Sequence, residues 1–407
     1  MNESIVIVGG GVAAARAIEG IREAGSDAPI VLVAAEEHLP YEKPPLSKGT
    51  LAGDDPLESA ILHPSEWYAE RDVRLLLGTT ATSIDPDRHT VTHDRGDDLA
   101  FRQLLLATGS SPRRLDVPGA DLGNVVSLRS MDESAALRER LVTGGRVVLV
   151  GAGWIGLEVA AAARTHGCEV TVVEPQPTPL YGVLGPELGH WFTGLHESNG
   201  VTFHFDDGVA ELLGDAEVSA VVTTSGERIE ADTVVVGVGI APNVGLAEAA
   251  GLEVDNGILC DAALRTSHPD VFAAGDVANW FNPTLGRRIR VDHWANANDG
   301  GFAAGQSMAG VEVSYGPVPF FFSDQYDVGL EYAGHVPRDT DTSLVFRGDH
   351  AGKEFLAFWH TGGVVLAGMH VNVWDTIDDV QALIRAGAPV DLSRLADPGV
   401  PLSDLLG

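Results

Sequence analysis

Two glycine-rich turns in this chain have the residue types and spacing to hold phosphates. The first is Gly9-Gly10-Gly11-Val12-Ala13-Ala14, reached from the apolar run Ile5-Val6-Ile7-Val8. The second is Gly151-Ala152-Gly153-Trp154-Ile155-Gly156, reached from Val147-Val148-Leu149-Val150. The chemistry is that of backbone amides. The first glycine, Gly9 or Gly151, lets a strand turn sharply into a helix. The second, Gly11 or Gly153, keeps a Cβ out of the path of a pyrophosphate, and the third small residue, Ala14 or Gly156, lets helix and strand pack closely. The N–H groups at the helix start then face the phosphates. Each turn has an acid at the end of a second strand-like run. Ile30-Val31-Leu32-Val33 leads to Glu36 and Glu37, and Val170-Thr171-Val172-Val173 leads to Glu174. A carboxylate there accepts hydrogen bonds from a ribose diol. Glu36 is the choice for the first site, with Glu37 a competitor. Two dinucleotide sites in one chain point to electron transfer between their occupants.

The elements that must position these turns occur twice. Residues 1–37 read as strand, helix and strand, with the helix running from Ala13 to Ile21. Short strands over 73–106 end in the apolar run Leu104-Leu105-Leu106-Ala107-Thr108-Gly109. Residues 146–239 repeat the plan, with a helix from Leu157 to Arg164 and a close at Thr233-Val234-Val235-Val236-Gly237. A later run, Val271-Phe272-Ala273-Ala274-Gly275-Asp276, reads as a strand ending in Gly-Asp. From about Pro319 aromatics cluster, and Thr342 to Phe346, Glu354 to Trp359 and Val364 to His370 predict an antiparallel sheet. The expected fold is α/β, with two Rossmann-type dinucleotide-binding domains and a C-terminal α+β domain. The expected boundaries are 1–112 with 240–318 for the first unit, 113–239 for the second and 319–407 for the third.

Composition narrows the function. The 407 residues carry a formal charge of −32, which argues against nucleic acid and anionic membrane surfaces as partners. No apolar run reaches the length of a membrane span, and the first strand begins too early to leave room for a signal peptide. The two cysteines, Cys168 and Cys260, have no second cysteine nearby, so neither a CxxC pair nor a zinc site is spelled out. They fit a reducing compartment, and a cytoplasmic protein is expected. Coenzyme choice is also legible. From Thr165 through Glu227 the chain has no Arg or Lys to meet the extra phosphate of NADPH, and Glu174 would repel it. NADH is expected.

The segments Leu39-Pro40-Tyr41-Glu42-Lys43-Pro44-Pro45-Leu46-Ser47-Lys48, Trp154-Ile155-Gly156-Leu157-Glu158, Ala273-Ala274-Gly275-Asp276 and Phe320-Phe321-Phe322-Ser323-Asp324-Gln325-Tyr326-Asp327 carry a resemblance. Along its whole length the chain resembles the FAD-dependent NADH:ferredoxin reductases that serve bacterial cytochrome P450s and aromatic-ring dioxygenases. The resemblance implies a glutathione-reductase-like fold, with FAD on the first fingerprint, NADH on the second, and the third domain capping the flavin. It implies FAD contacts from Ala81, from Arg129 near the phosphates, and from Asp276, whose carboxylate would bind a ribityl hydroxyl. Trp294, in Asp292-His293-Trp294-Ala295-Asn296-Ala297, falls at a helix start aimed at the flavin, where a core tryptophan is the alternative. Lys48 resembles a lysine beside the flavin ring, and its expected partner is Glu158, across the two nucleotide domains. Lys43 receives no role.

The loop Pro44 to Lys48 stands where disulfide reductases carry their redox cysteines and has none, which removes that activity. The implied partner is a [2Fe–2S] ferredoxin, with a monomer or weak homodimer as the reductase. Arg287, Arg288, Arg290, Arg338, Arg347 and Lys353 are the candidate docking cations. The alternatives on the same fold are an NADH oxidase, a rubredoxin reductase, a nitrite-reductase component, or a redox sensor resembling apoptosis-inducing factor.

Overall fold

The computed structural model describes residues 4–96, 98–337 and 339–406. Ile5–Val8 is wholly buried and parallel to a neighbour on each side, as a β-branched run without polar alternation should be. It is the centre of a five-stranded parallel sheet ordered Val73–Leu76, Ile30–Val33, Ile5–Val8, Gln103–Leu106, Val271–Ala273. In chain order this is 3-2-1-4-5, the doubly wound arrangement. Its strand order reverses beside Ile5–Val8, so a crevice opens where the first fingerprint begins.

The second sheet repeats the plan around Arg146–Val150. Glu169–Glu174 and Val201–Phe205 lie on one side, Thr233–Val236 and Val125–Val126 on the other, all parallel. Each parallel sheet carries a three-stranded antiparallel appendage, Ala81–Asp85 with Thr90–His93 and Leu99–Ala100 in the first, and Val209–Gly214 with Val218–Thr223 and Arg228–Glu230 in the second. The chain crosses between the two units along a pair of antiparallel strands, Ser110–Pro112 and Ile240–Pro242. Asn243 locks that crossing. Its side-chain amide donates to the Thr108 carbonyl at 2.8 Å and its oxygen accepts from Ser111 at 2.8 Å.

The third sheet is antiparallel and five-stranded, ordered Phe320–Gln325, Val328–Gly334, Val364–Val371, Glu354–Thr361, Ser343–Asp349. The helix Ile377–Ala386 covers it, so the C-terminal unit is α+β.

One helix pair sets the geometry of the first site. Val12–Glu23 and Trp294–Met308 approach backbone to backbone. A Cβ on Gly301 would meet the Ala13 carbonyl oxygen at 2.4 Å, and one on Gly305 the Ala17 oxygen at 2.1 Å. The two helices run parallel with Gly301 at the start of the earlier one, so the start of the later helix, His293 and Trp294, projects about two turns past it on the side of the first fingerprint. Among the described residues no helix is long and apolar enough to cross a membrane.

Candidate functional site

Both fingerprints end in helices that begin without a side-chain cap and without an acid in the first turn. The first N–H groups of Val12–Glu23 and Trp154–Thr165 are therefore left for an external acceptor. At Gly11 and at Gly153 a Cβ would meet nothing within 4 Å, whereas Gly9 and Gly151 turn at φ +130 and +100 against the backbone of the neighbouring strand end. Each turn is thus a cradle open on one side, with the size and donor set that a pyrophosphate requires. The residues present fit a dinucleotide at both places.

Around the first cradle the polar groups are already tied together. Tyr41 pairs with Gly11 in an isolated bridge, so it is fixed to the turn itself. Its hydroxyl donates to Glu36 Oε2 at 2.6 Å and accepts from Lys43 Nζ at 3.3 Å. Burial, with the Arg129 charge nearby, pulls the Lys43 ammonium down to about 8. Lys43 also donates to the Arg129 carbonyl at 3.0 Å. Arg129 in turn donates to Asp276 Oδ2 at 2.5 Å and to the Ser110 carbonyl at 3.1 Å. Asp292 precedes the start of Trp294–Met308 and pairs with Arg290. Burial and the Asp276 charge push its carboxyl up to about 6. Burial alone holds His293 down at about 4, and its ring stacks on Phe321 at 4.4 Å. Trp294 stands edge-on to Phe322, with a buried Nε1 that has no partner. Ala14 is fully buried in the helix, and Ala81 begins the antiparallel appendage.

The second cradle has far fewer ties. Glu174 accepts from the Ala152 N–H at 2.6 Å and from the Gln176 N–H at 2.9 Å, so its carboxylate folds onto its own fingerprint. Ile155, on the fingerprint helix, and Tyr181 and Val183, on the short helix Tyr181–Leu184 beyond Glu174, are exposed apolar side chains. Gly156 packs against the turn, where a Cβ would meet the Gly151 oxygen at 2.3 Å.

Lys48 and Glu158 meet between the two cradles, Nζ to Oε1 at 2.8 Å, with side-chain exposures of 15 % and 4 %. The carboxylate also accepts from Ser47 Oγ at 2.5 Å and from Ser323 Oγ at 2.6 Å. Lys48 lies 5.6 Å from the Phe322 ring centre. Phe321, on the other face of that strand, meets Trp154 edge-on at 5.0 Å. The third sheet therefore reaches the junction of the two nucleotide units through Phe321, Phe322 and Ser323.

Two sequence expectations need correction. The basic cluster at 287–290 is not a free docking patch. Arg287 donates to the His335 carbonyl at 3.0 Å, Arg288 to the Cys260 carbonyl at 2.6 Å, and Arg290 is held by Asp292. Arg347 is buried and donates to the Val400 carbonyl at 2.5 Å, while Lys353 pairs with Asp327 at 2.7 Å. Arg338 lies outside the described residues.

Sequence reasoning missed the roles of Lys43, Ser47, Ser323, Gln325 and His196. The first four sit in the quoted segments, but nothing local shows what they bond. His196 meets Gln325 from 129 positions away, so no local pattern signals it.

The pyridine nucleotide-disulphide oxidoreductase family description matches residues 3–301, and the reductase C-terminal description matches residues 320–406. The chain is 41 % identical to the ferredoxin–NAD(+) reductase component of the anthranilate 1,2-dioxygenase system of Burkholderia cepacia, over 99 % of each chain. It is 37 % identical to rhodocoxin reductase of Rhodococcus erythropolis, over 91 % of this chain and 86 % of that one. The crystal structure of the covalent putidaredoxin reductase–putidaredoxin complex superposes with a TM-score of 0.95. It is 34 % identical and covers 100 % of this chain and 98 % of that one.

Proposed function

The chain belongs to the pyridine nucleotide-disulphide oxidoreductase family, and on that premise we propose that it is an NADH:ferredoxin reductase feeding an oxygenase. It is an oxidoreductase that uses FAD and NAD(H). The observation that carries the finer reading is the Lys48–Glu158 pair, a buried carboxylate and a half-buried ammonium placed between two phosphate cradles. The partner is a [2Fe–2S] ferredoxin, in keeping with the ferredoxin, rhodocoxin and putidaredoxin in the relatives' names. Bound FAD supplies the conversion, since it takes a hydride as an electron pair and releases the electrons singly.

The chain's own residues have separable tasks. The first cradle, Ala14, Ala81, Glu36, Arg129 and Asp276 hold FAD, with Glu36 rather than Glu37 on the adenine ribose because the Tyr41 hydroxyl already holds the Glu36 carboxylate in place. The second cradle and Glu174 hold NADH, and Glu174 exchanges its bond from Ala152 for the ribose diol. Lys48 sets a positive charge at the junction, where negative charge on a reduced ring is favoured. Glu158, bonded three ways, keeps that ammonium in place. The helix start at Trp294 adds a positive dipole end. The loop Pro44 to Lys48, in the place of a redox disulfide, holds no cysteine, so electrons have no thiol route there. We divide the chain into an FAD unit of 1–112 and 240–318, an NADH unit of 113–239 and a capping unit of 319–407. We place a monomer or weak homodimer in the cytoplasm, where the free, buried Cys168 and Cys260 stay reduced.

The test is NADH-driven cytochrome c reduction with and without a [2Fe–2S] ferredoxin. Ferredoxin should raise the rate many-fold. Rapid oxygen consumption without ferredoxin would indicate an oxidase instead, and slow turnover with a shift in association state a sensor.

A further inference from the structure

The Glu158 carboxylate is the end of a longer buried chain. Ser323 and Gln325 alternate along the strand Phe320–Gln325 and so share one face, the face turned toward the helix Trp154–Thr165. Gln325 Nε2 lies 3.1 Å from Ser323 Oγ, His196 Nε2 lies 2.8 Å from Gln325 Oε1, and Tyr326 Oη lies 3.1 Å from His196 Nδ1. Ser323, Gln325 and His196 are each no more than 1 % exposed.

The direction of every bond follows from the first. An ionised carboxylate only accepts, so Ser323 must donate its single proton to Glu158. Ser323 can then only accept from Gln325, which puts the amide nitrogen toward the serine and the amide oxygen toward His196. His196 must therefore carry its proton on Nε2, leaving Nδ1 to accept from Tyr326. Burial holds His196 down at about 4, so the neutral ring this scheme requires is the form present near neutral pH.

We infer that Tyr326, His196, Gln325 and Ser323 form a one-way hydrogen-bond chain that donates into Glu158 and so fixes the Lys48 ammonium. The C-terminal unit thereby positions the charge pair between the two nucleotide units. An amide in the middle cannot pass a proton as a hydroxyl or imidazole does, so the chain orients and does not conduct. These four are positioning residues. The inference rests on the proposed role of Lys48.

The test has two arms. In the first, the imidazole 15N shifts of His196 are measured in the intact flavoprotein. The Nε2–H tautomer is expected, and the Nδ1–H tautomer would overturn the chain's direction. In the second, NADH is mixed anaerobically with variants and bleaching of the flavin is followed. Ser323→Ala should slow the limiting rate about tenfold, the effect of one hydrogen bond to a charged group, with NADH affinity little changed. Gln325→Met should cost less and Tyr326→Phe least, following their order from Glu158. Ser323→Thr, which keeps the hydroxyl, should restore the rate. Ser323→Ala should add nothing in a Lys48→Met background, and an additive loss there would refute the mechanism. If NADH bleaches neither wild type nor variants, the electron-transfer reading fails. If it bleaches Ser323→Ala as fast as wild type, only this inference fails.

Discussion

The two fingerprints share a plan but differ in what surrounds them. Around Gly9–Ala14 the side chains are cross-tied before any ligand is considered: Tyr41 to Glu36, Lys43 to Tyr41 and Arg129, Arg129 to Asp276. Around Gly151–Gly156 the acid bonds only to backbone amides, and exposed apolar groups stand open to solvent. A site whose polar groups are already ordered loses little freedom on binding and suits a resident group. A site with few ties suits a molecule that comes and goes. The difference teaches that a repeated motif names the ligand class, while the shell around it sets the residence time.

The comparison is broken most sharply where the two regions meet. Lys48→Met should slow flavin reduction by NADH on the order of a hundredfold, the cost of removing one charge-stabilising group. It should leave retention of FAD intact, and an unchanged rapid-mixing rate would separate the pair from the chemistry.

Within the second site, Glu174→Ala should weaken NADH about tenfold, since one charge-assisted contact to the ribose is lost. It should not yield good use of NADPH, because no Lys or Arg lies between Thr165 and Glu227. Steady-state KM values for both coenzymes check this. The matching change in the first site, Glu36→Ala, should leave the KM for NADH unchanged and increase the FAD lost on dialysis several-fold. If Glu37→Ala sheds flavin and Glu36→Ala does not, the assignment of the ribose acid reverses.

The smallest effect concerns pH. His293 and His196 are both held down at about 4, against 6.5 for an ordinary imidazole. The unfolded chain then binds more protons than the native one between those values, so stability falls as pH drops from 6.5 toward 4. Asp292, pushed up from 3.8 to about 6, acts in the opposite sense, because its native form gains a proton that the unfolded form does not. It partly offsets His293 in the first region, and Asp324, whose carboxyl burial also pushes up, acts in the same sense near His196. Urea unfolding near neutrality and at about pH 5 should show a loss of stability that His196→Gln reduces and Asp292→Asn steepens.

Much of this was legible in the sequence, for a physical reason. The β-branched runs before each fingerprint, the glycine spacing and the acid beyond the second strand are local signals, and the parallel sheets formed where they indicate. The change of texture after Pro319 likewise marks the antiparallel sheet. The Lys48–Glu158 pair came from resemblance, since nothing local says that a lysine and a glutamate 110 positions apart will meet in a buried junction. Ser323, Gln325 and His196 were illegible because a hydrogen bond from one unit to another leaves no periodic trace. The arginines at 287–290 misled for the opposite reason: their clustering is local, but the carbonyls that consume them are not.

The central claim is that a resident flavin and a visiting NADH face each other across Lys48 and Glu158. Anaerobic titration of the purified protein with NADH tests it most directly. The expected result is a yellow protein whose visible flavin absorbance is lost with one NADH per chain and is little changed by the same amount of NADPH. A colourless protein that takes up no FAD, or a yellow one that NADH does not bleach, would contradict it.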